Sequence, residues 1–426
     1  MMSTEVTESS NRSTLHVAVG LGVFGAAHFV FLALAGRDLG PAGTAPVSVA
    51  WTLLNAIGIG LFQPVEQEIA RRLSAARADG AASGQVTRVL RYVGLAILTV
   101  VALALVGYQW LADGPLASGS MVLVVVLGLG AQAFAYYARG ILAGTGQFRR
   151  YGAQLAVDGG LRIILSLALF VTGASSQVAY ATILVIAPLV ATLITVRPTT
   201  LIRPLRARPL AETTESPLGG LVAAALSSQL LANMGPIAMA VLAGASQQDL
   251  SGRFIAAVTI ARIPLFLFTP VQVVVLPALA AIVVRHDWPA YRATMRKTLL
   301  ISAALATVGT LGVAVLGPWA LSVAYGPAFT IGTSTLVLIA VSGGLFMLAQ
   351  AYAQSLIAHH RERLIAIGWG IGLVIACATL AVDIELSLRV ALALCTGTGA
   401  ALVTLLLGER KIVRMWRDES PVPPQR

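Results

Sequence analysis

About twelve apolar runs, each long enough to cross a bilayer, carry their arginines at alternate ends, and this alternation constrains the chain more than any other feature. A helix rises ~1.5 Å per residue, so roughly 20 apolar residues cover the ~30 Å of hydrocarbon in a membrane. The runs fall at 16–36, 43–67, 90–111, 119–142, 153–173, 176–196, 218–244, 253–283, 298–321, 328–357, 364–382 and 387–407. Of the 29 Lys and Arg residues, 24 lie in the two terminal segments, in every second connection or at the run ends flanking it. Arg37, Arg253 and Arg389 lie in the intervening connections or at the run ends beside them, while Arg162 and Arg262 lie deep within runs. Cytoplasmic segments of membrane proteins hold the excess of Lys and Arg. Both termini are therefore expected in the cytoplasm, with an even number of crossings. Lipid offers no partners to backbone polar groups, so the expected fold class is an all-α polytopic membrane protein.

Composition agrees with this reading: 57% of residues are hydrophobic and 11% charged. The net charge of +11 is dispersed as short arginine caps, which suits topology and contact with anionic membrane lipids rather than nucleic acid. Cys377 and Cys395 both fall within runs and lack Cys-x-x-Cys spacing, so they read as packing residues. The sequence contains no Walker A motif, no Gly-x-Ser-x-Gly and no His-Glu-x-x-His. No ATP, metal or other cofactor is expected, and the adjacent His359 and His360 do not share a helix face.

The longest linker, rich in arginine and proline, divides the runs six and six. The expected organisation is a cytoplasmic tail at 1–15, an N-lobe at 16–196, a cytoplasmic linker at 197–217, a C-lobe at 218–407 and a cytoplasmic tail at 408–426. Short matches link the halves. Leu61-Phe62-Gln63-Pro64-Val65 in the second span returns as Leu267-Phe268-Thr269-Pro270-Val271 in the eighth. Tyr137-Ala138-x-x-Ile141-Leu142-Ala143 in the fourth returns as Tyr352-Ala353-x-x-Leu356-Ile357-Ala358 in the tenth. Six is even, so such a repeat is parallel, and repeats of this kind commonly enclose a central substrate cavity.

Charge inside the membrane is the most direct pointer to function, because an arginine near the bilayer centre costs ~2.5–3.5 kcal/mol and needs a partner or a wet cavity. Counting ~1.5 Å per residue from Tyr151 and from Arg253 places Arg162 about 16 Å deep and Arg262 about 13 Å deep. Asp158 precedes Arg162 by one helical turn and is positioned to pair with it. Arg262 has no carboxylate within a turn, and its planar fork suits phosphate or pyrophosphate. His28 lies at mid-depth in the first span, either hydrogen-bonded to a neighbouring helix or poised to couple protons. Asn55 and Asn233 are further polar points, able to bond between helices or to meet sugar hydroxyls. Glu66 and Glu68 are expected to pair with Arg71 and Arg72 at the inner end of span 2. Pro64 in span 2, with Pro264, Pro270 and Pro277 in span 8, are candidate hinges, since proline removes a backbone donor.

Several stretches resemble polysaccharide and O-antigen flippases of the multidrug/oligosaccharidyl-lipid/polysaccharide (MOP, MATE-like) superfamily. They are Gly36-Arg37-Asp38-Leu39-Gly40-Pro41-Ala42-Gly43, the run from Phe62 to Arg72, and Arg139 to Phe148. Ala261-Arg262-Ile263-Pro264 through Pro277, and Tyr325-Gly326-Pro327-Ala328-Phe329, extend the resemblance over most of the chain. It implies two six-helix lobes around a central cavity and alternating access that carries a lipid-linked oligosaccharide outward. Partners would be that glycan substrate, membrane lipids and glycan polymerase or ligase machinery. Two alternatives stand beside it. One is an ion-coupled multidrug or small-molecule exporter, whose cavity would need unpaired carboxylates. The other is a non-transporting membrane component of a glycan-assembly complex.

Overall fold

In hydrocarbon a backbone must satisfy its own hydrogen bonds, and an apolar run does so by closing into a helix. The computed structural model describes residues 2–78, 87–173, 176–202, 218–244 and 247–418, and every regular element among them is helical. In chain order these are α1 (Met2–Ala78), α2 (Thr87–Val106), α3 (Tyr108–Asp113), α4 (Gly119–Gly144), α5 (Phe148–Thr172), α6 (Gln177–Thr195) and α7 (Pro198–Ile202). They continue as α8 (Leu218–Leu242), α9 (Gln248–Ala261), α10 (Ile263–Val284), α11 (Trp288–Tyr325), α12 (Thr333–Ala358), α13 (Glu362–Thr379) and α14 (Leu386–Asp418).

Ten helical stretches among the described residues are long and apolar enough to cross a membrane. The first, His16–Ser74, is two spans joined at Gly40, whose φ of 68° is open to glycine and strained for other residues. Thr44 Oγ1 donates to the Gly40 carbonyl at 2.7 Å and the Ala35 carbonyl at 3.1 Å, satisfying acceptors freed by the turn. Counting that stretch as two and the broken α9–α10 as one gives the expected twelve. Exposure marks the lipid face. On α11, Val308, Leu311 and Val315 are 70%, 61% and 77% exposed at helical spacing, a stripe too apolar for water. The chain is a polytopic α-helical membrane protein.

Three expected boundaries change here. The third span breaks at Gly107, where α2 ends and the short α3 begins. Helices α11 and α14 overrun their apolar cores, starting at Trp288 and ending at Asp418, so their arginine caps ride on helix rather than loop. Most of the linker at 197–217 and the end of the C-terminal tail lie outside the described residues, apart from α7.

The chain divides into two compact units, Met1–Val222 with Ala243–Gly252, and Ala223–Leu242 with Arg253–Arg426. In the first, α1 before Gly40 packs on α5 with both chains rising in the same direction. Gly20 abuts Gly152, and Phe24 abuts Gly159. The part of α1 after Gly40 runs alongside α4 in the same way, with Leu54 on Gly128 and Ile69 on Gly140. Small residues let membrane helices approach until van der Waals contact and interhelical bonds hold them. In the second unit, α13 and α14 run antiparallel, with Gly372 and Ala376 against Gly397, and Leu231 of α8 completes that contact. Equivalent pairs recur: α4 and α5 both pack on α6, as α12 and α13 both pack on α14.

These contacts make a prediction. A Cβ on Gly152 would collide with the His16 carbonyl, which is backbone and cannot swing aside. Gly152→Val should therefore strip most of the monodisperse protein from a detergent-solubilised chromatogram, whereas Gly160→Val, with open space around its Cβ position, should leave it intact.

Candidate functional site

The first unit holds a buried charge cluster built by α1 and α5. Asp158 and Arg162 are one turn apart on α5, and Arg162 Nε donates to Asp158 Oδ1 at 2.7 Å. Both are buried, at 2% and 4% exposed. Arg162 Nη1 lies 3.4 Å from His28 Nε2 on α1, and its Cζ stands 4.9 Å from the centroid of the Phe24 ring. A guanidinium only donates, so Nε2 accepts in this contact and the imidazole is neutral, with its proton on Nδ1. Among the described residues Nε1 of Trp51, whose ring stands edge-on to His28 at 5.7 Å, has no hydrogen-bond partner. The structure thus joins three of the expected site residues: Asp158, Arg162 and His28. Asn55 does not join them, because its Nδ2 donates to the Trp51 carbonyl one turn back at 2.7 Å.

The second unit holds a different arrangement. The sequence predicts a continuous span over 253–283, and the structure breaks it at Arg262, between α9 and α10. Pro264 is the physical reason: it has no N–H for the preceding turn. Its ring packs against Gly309 of α11, which fixes the break. Arg262 therefore caps α10, its carbonyl accepting from Leu265 N at 3.0 Å. Its Nη1 donates to Asn233 Oδ1 on α8 at 3.3 Å, and Asn233 Nδ2 in turn donates to the Gln229 carbonyl at 2.9 Å. Among the described residues Arg262 has no carboxylate partner, and its side chain is half-buried. A cation held by one neutral amide keeps most of its donors free for an anion.

Among the hinge candidates, Pro64 is buried within α1, where the backbone leaves helical geometry at Gly40 rather than at the proline. Pro270 and Pro277 belong to α10, and their side chains lie outside the described residues.

One expected pairing is corrected. Glu68 takes both nearby arginines, at 2.8 Å from Arg71 Nε and 2.6 Å from Arg72 Nε. Glu66 instead pairs with Arg139 of α4 at 3.0 Å, and Tyr151 of α5 donates to its other oxygen at 2.8 Å. The Arg139 guanidinium also covers the Tyr136 ring at 4.0 Å. Arg139 is buried at 6% exposed and ties three helices, where the sequence suggested a loop cap. At the corresponding end of the second unit, Tyr291 bonds Glu409 and Ser355, ringed by Trp288, Trp416 and His359. Burial, with Arg361 and His360 adding to it, holds the His359 imidazole below its ordinary pKa.

No family model matches the sequence. An uncharacterised protein of Mycobacterium bovis is 26% identical over 385 residues, covering 84% of this chain and 82% of its own length. An uncharacterised protein of Mycobacterium tuberculosis is 27% identical over 372 residues, covering 80% of this chain and 78% of its own. Among solved structures, an inward-facing multidrug resistance MATE family transporter of the MOP superfamily superposes with a TM-score of 0.69 at 16% identity. That match covers 95% of this chain and all of the other, 100%. A MOP superfamily transporter from Pyrococcus furiosus, described by a reverse polarity of its binding pocket that suggests a different function, gives 0.65 at 16% identity over 95% and 96% of the two chains. A Vibrio cholerae MATE transporter gives 0.64 at 14% identity over 97% and 98%. The chain therefore has the fold of MATE transporters of the MOP superfamily.

Proposed function

We propose that the protein is a membrane transporter that moves a lipid-linked oligosaccharide, a polysaccharide precursor, from the cytoplasmic to the outer leaflet by alternating access. In this reading it sits in a bacterial cytoplasmic membrane with both termini inside. The observation that carries it is Arg262: a guanidinium within a span, at a helix break, held by Asn233 and by no carboxylate among the described residues. Such a group binds the phosphate oxygens of a glycan carrier through its paired donors. The break beside it supplies a joint at which α9 and α10 can change angle. Exporters of cationic compounds need a free acid within the spans, and here the mid-span Asp158 is engaged by Arg162. The Pyrococcus transporter of the same fold is a precedent for a binding pocket of reverse polarity.

The test is complementation of a strain lacking the gene by Arg262→Ala that inserts at normal levels. Surface glycan should fall by roughly tenfold or more, matching the loss of one charge-assisted contact, with precursor accumulating on the cytoplasmic face. Normal export would refute the role given to Arg262 and favour a structural component of a glycan-assembly complex.

A further inference from the structure

In the second unit, α11 brings Arg292 and Arg296, and α14 brings Arg410 and Arg414, to one open groove of about 790 Å³. Each pair is spaced one helical turn apart, so both members leave the same face of their helix. All four are exposed, and none forms a salt bridge among the described residues. The acid in the groove, Glu409, is buried and accepts from Tyr291. A fifth guanidinium, Arg417, lies over the Trp288 ring at the same mouth, 5.9 Å from its centroid, and is paired with Asp418 at 3.2 Å. Four like charges lining one groove raise each other's energy until an anion enters.

Away from the arginines the groove becomes apolar, lined by Leu299 and Ala303 of α11, Leu348 of α12, and Leu402 and Leu406 of α14. These positions lie one to three helical turns from the arginines, so the apolar wall extends roughly 10–15 Å along the helices. The geometry points to a binding site for a lipid diphosphate. Its head is held by Arg292, Arg296, Arg410 and Arg414, and the start of its hydrocarbon chain lies along the leucines. A free inorganic anion leaves that wall unused. A neutral lipid leaves the guanidiniums without counter-charge, and a singly charged phospholipid answers only part of the cluster. Bidentate guanidinium–phosphate bonds favour the more highly charged head. The inference rests on the reading of the protein as a carrier of lipid-linked glycans, and adds a place where the lipid is gathered from the leaflet.

The experiment uses the full chain in phosphatidylcholine nanodiscs, with tryptophan emission as readout because Trp288 lines the groove. A fifteen-carbon prenyl diphosphate, phosphatidylglycerol and inorganic pyrophosphate are titrated separately. The prenyl diphosphate should bind at least tenfold more tightly than either of the others. Replacing all four arginines by glutamine should weaken it by at least about tenfold, one lost charge-assisted contact being sufficient for that. Replacement by lysine should retain much of the affinity. Equal binding of pyrophosphate, of phosphatidylglycerol, or of prenyl diphosphate to the glutamine variant would overturn the assignment. A chain that binds here and flips no glycan lipid loses the transport reading and keeps this site. A chain that flips normally without binding here loses the site alone.

Discussion

Arg139→Ala should remove most of the folded protein. Among the described residues the substitution leaves the Glu66 carboxylate with the Tyr151 hydroxyl as its one partner, at a junction of three helices where Arg139 is 6% exposed. Removing one partner of a buried ion pair costs about 3–5 kcal/mol, because the other charge stays behind uncompensated. That is a large share of the ~5–15 kcal/mol by which folded proteins are stable. The double variant Glu66→Leu/Arg139→Leu should recover much of the loss, since two apolar side chains can replace the pair at little cost. Thermal melting of purified protein in detergent checks both. An Arg139→Ala variant that melts with the wild type would mean that the junction is held by packing alone.

The second large effect is expected at Asp158 and Arg162. Either alanine variant strands a buried charge and should cost about 3–5 kcal/mol, while the double variant should cost less than the sum of the two. Transport should separate from stability here. If Arg162 also meets the anionic substrate, the double variant folds and still fails to export. If the pair only lets α5 pass through the membrane, the double variant exports normally. His28→Gln is the companion variant: an amide retains an acceptor for Arg162 and cannot take up a proton in the physiological range. Its export should follow pH as the wild type does, because His28 meets Arg162 as a neutral imidazole, and a changed pH profile would contradict that role.

The membrane helices were legible in the sequence because twenty apolar residues in a row leave few alternatives, and the break between the first two at Gly40 was announced by Gly-Pro within Gly36–Gly43. The Asp158–Arg162 pair was legible for the same kind of local reason, a spacing of four on a helix. Its junction with His28 was not, because it depends on how closely α1 approaches α5 through Gly152 and Gly159. Glu66 was assigned to the wrong arginines although the spacing held the answer. Arg71 and Arg72 lie three and four residues beyond Glu68, but five and six beyond Glu66, whose side chain leaves the helix about 200° away from that of Glu68. Pro264 marked a joint in the eighth span, yet periodicity alone did not show that the helix would stop at Arg262. The groove of α11 and α14 stayed hidden for a plainer reason. Each arginine pair reads as an ordinary cytoplasmic cap, and only the fold brings the two together.

Transport of a lipid-linked anion is tested most directly in proteoliposomes holding the purified chain and a fluorescent prenyl-diphosphate oligosaccharide, by the fraction of label that an external quencher can reach over time. The account predicts that label crosses faster than in empty vesicles and that Arg262→Gln slows it by about tenfold or more. Crossing no faster than in empty vesicles, with an organic cation instead driven outward by a proton or sodium gradient, would contradict it.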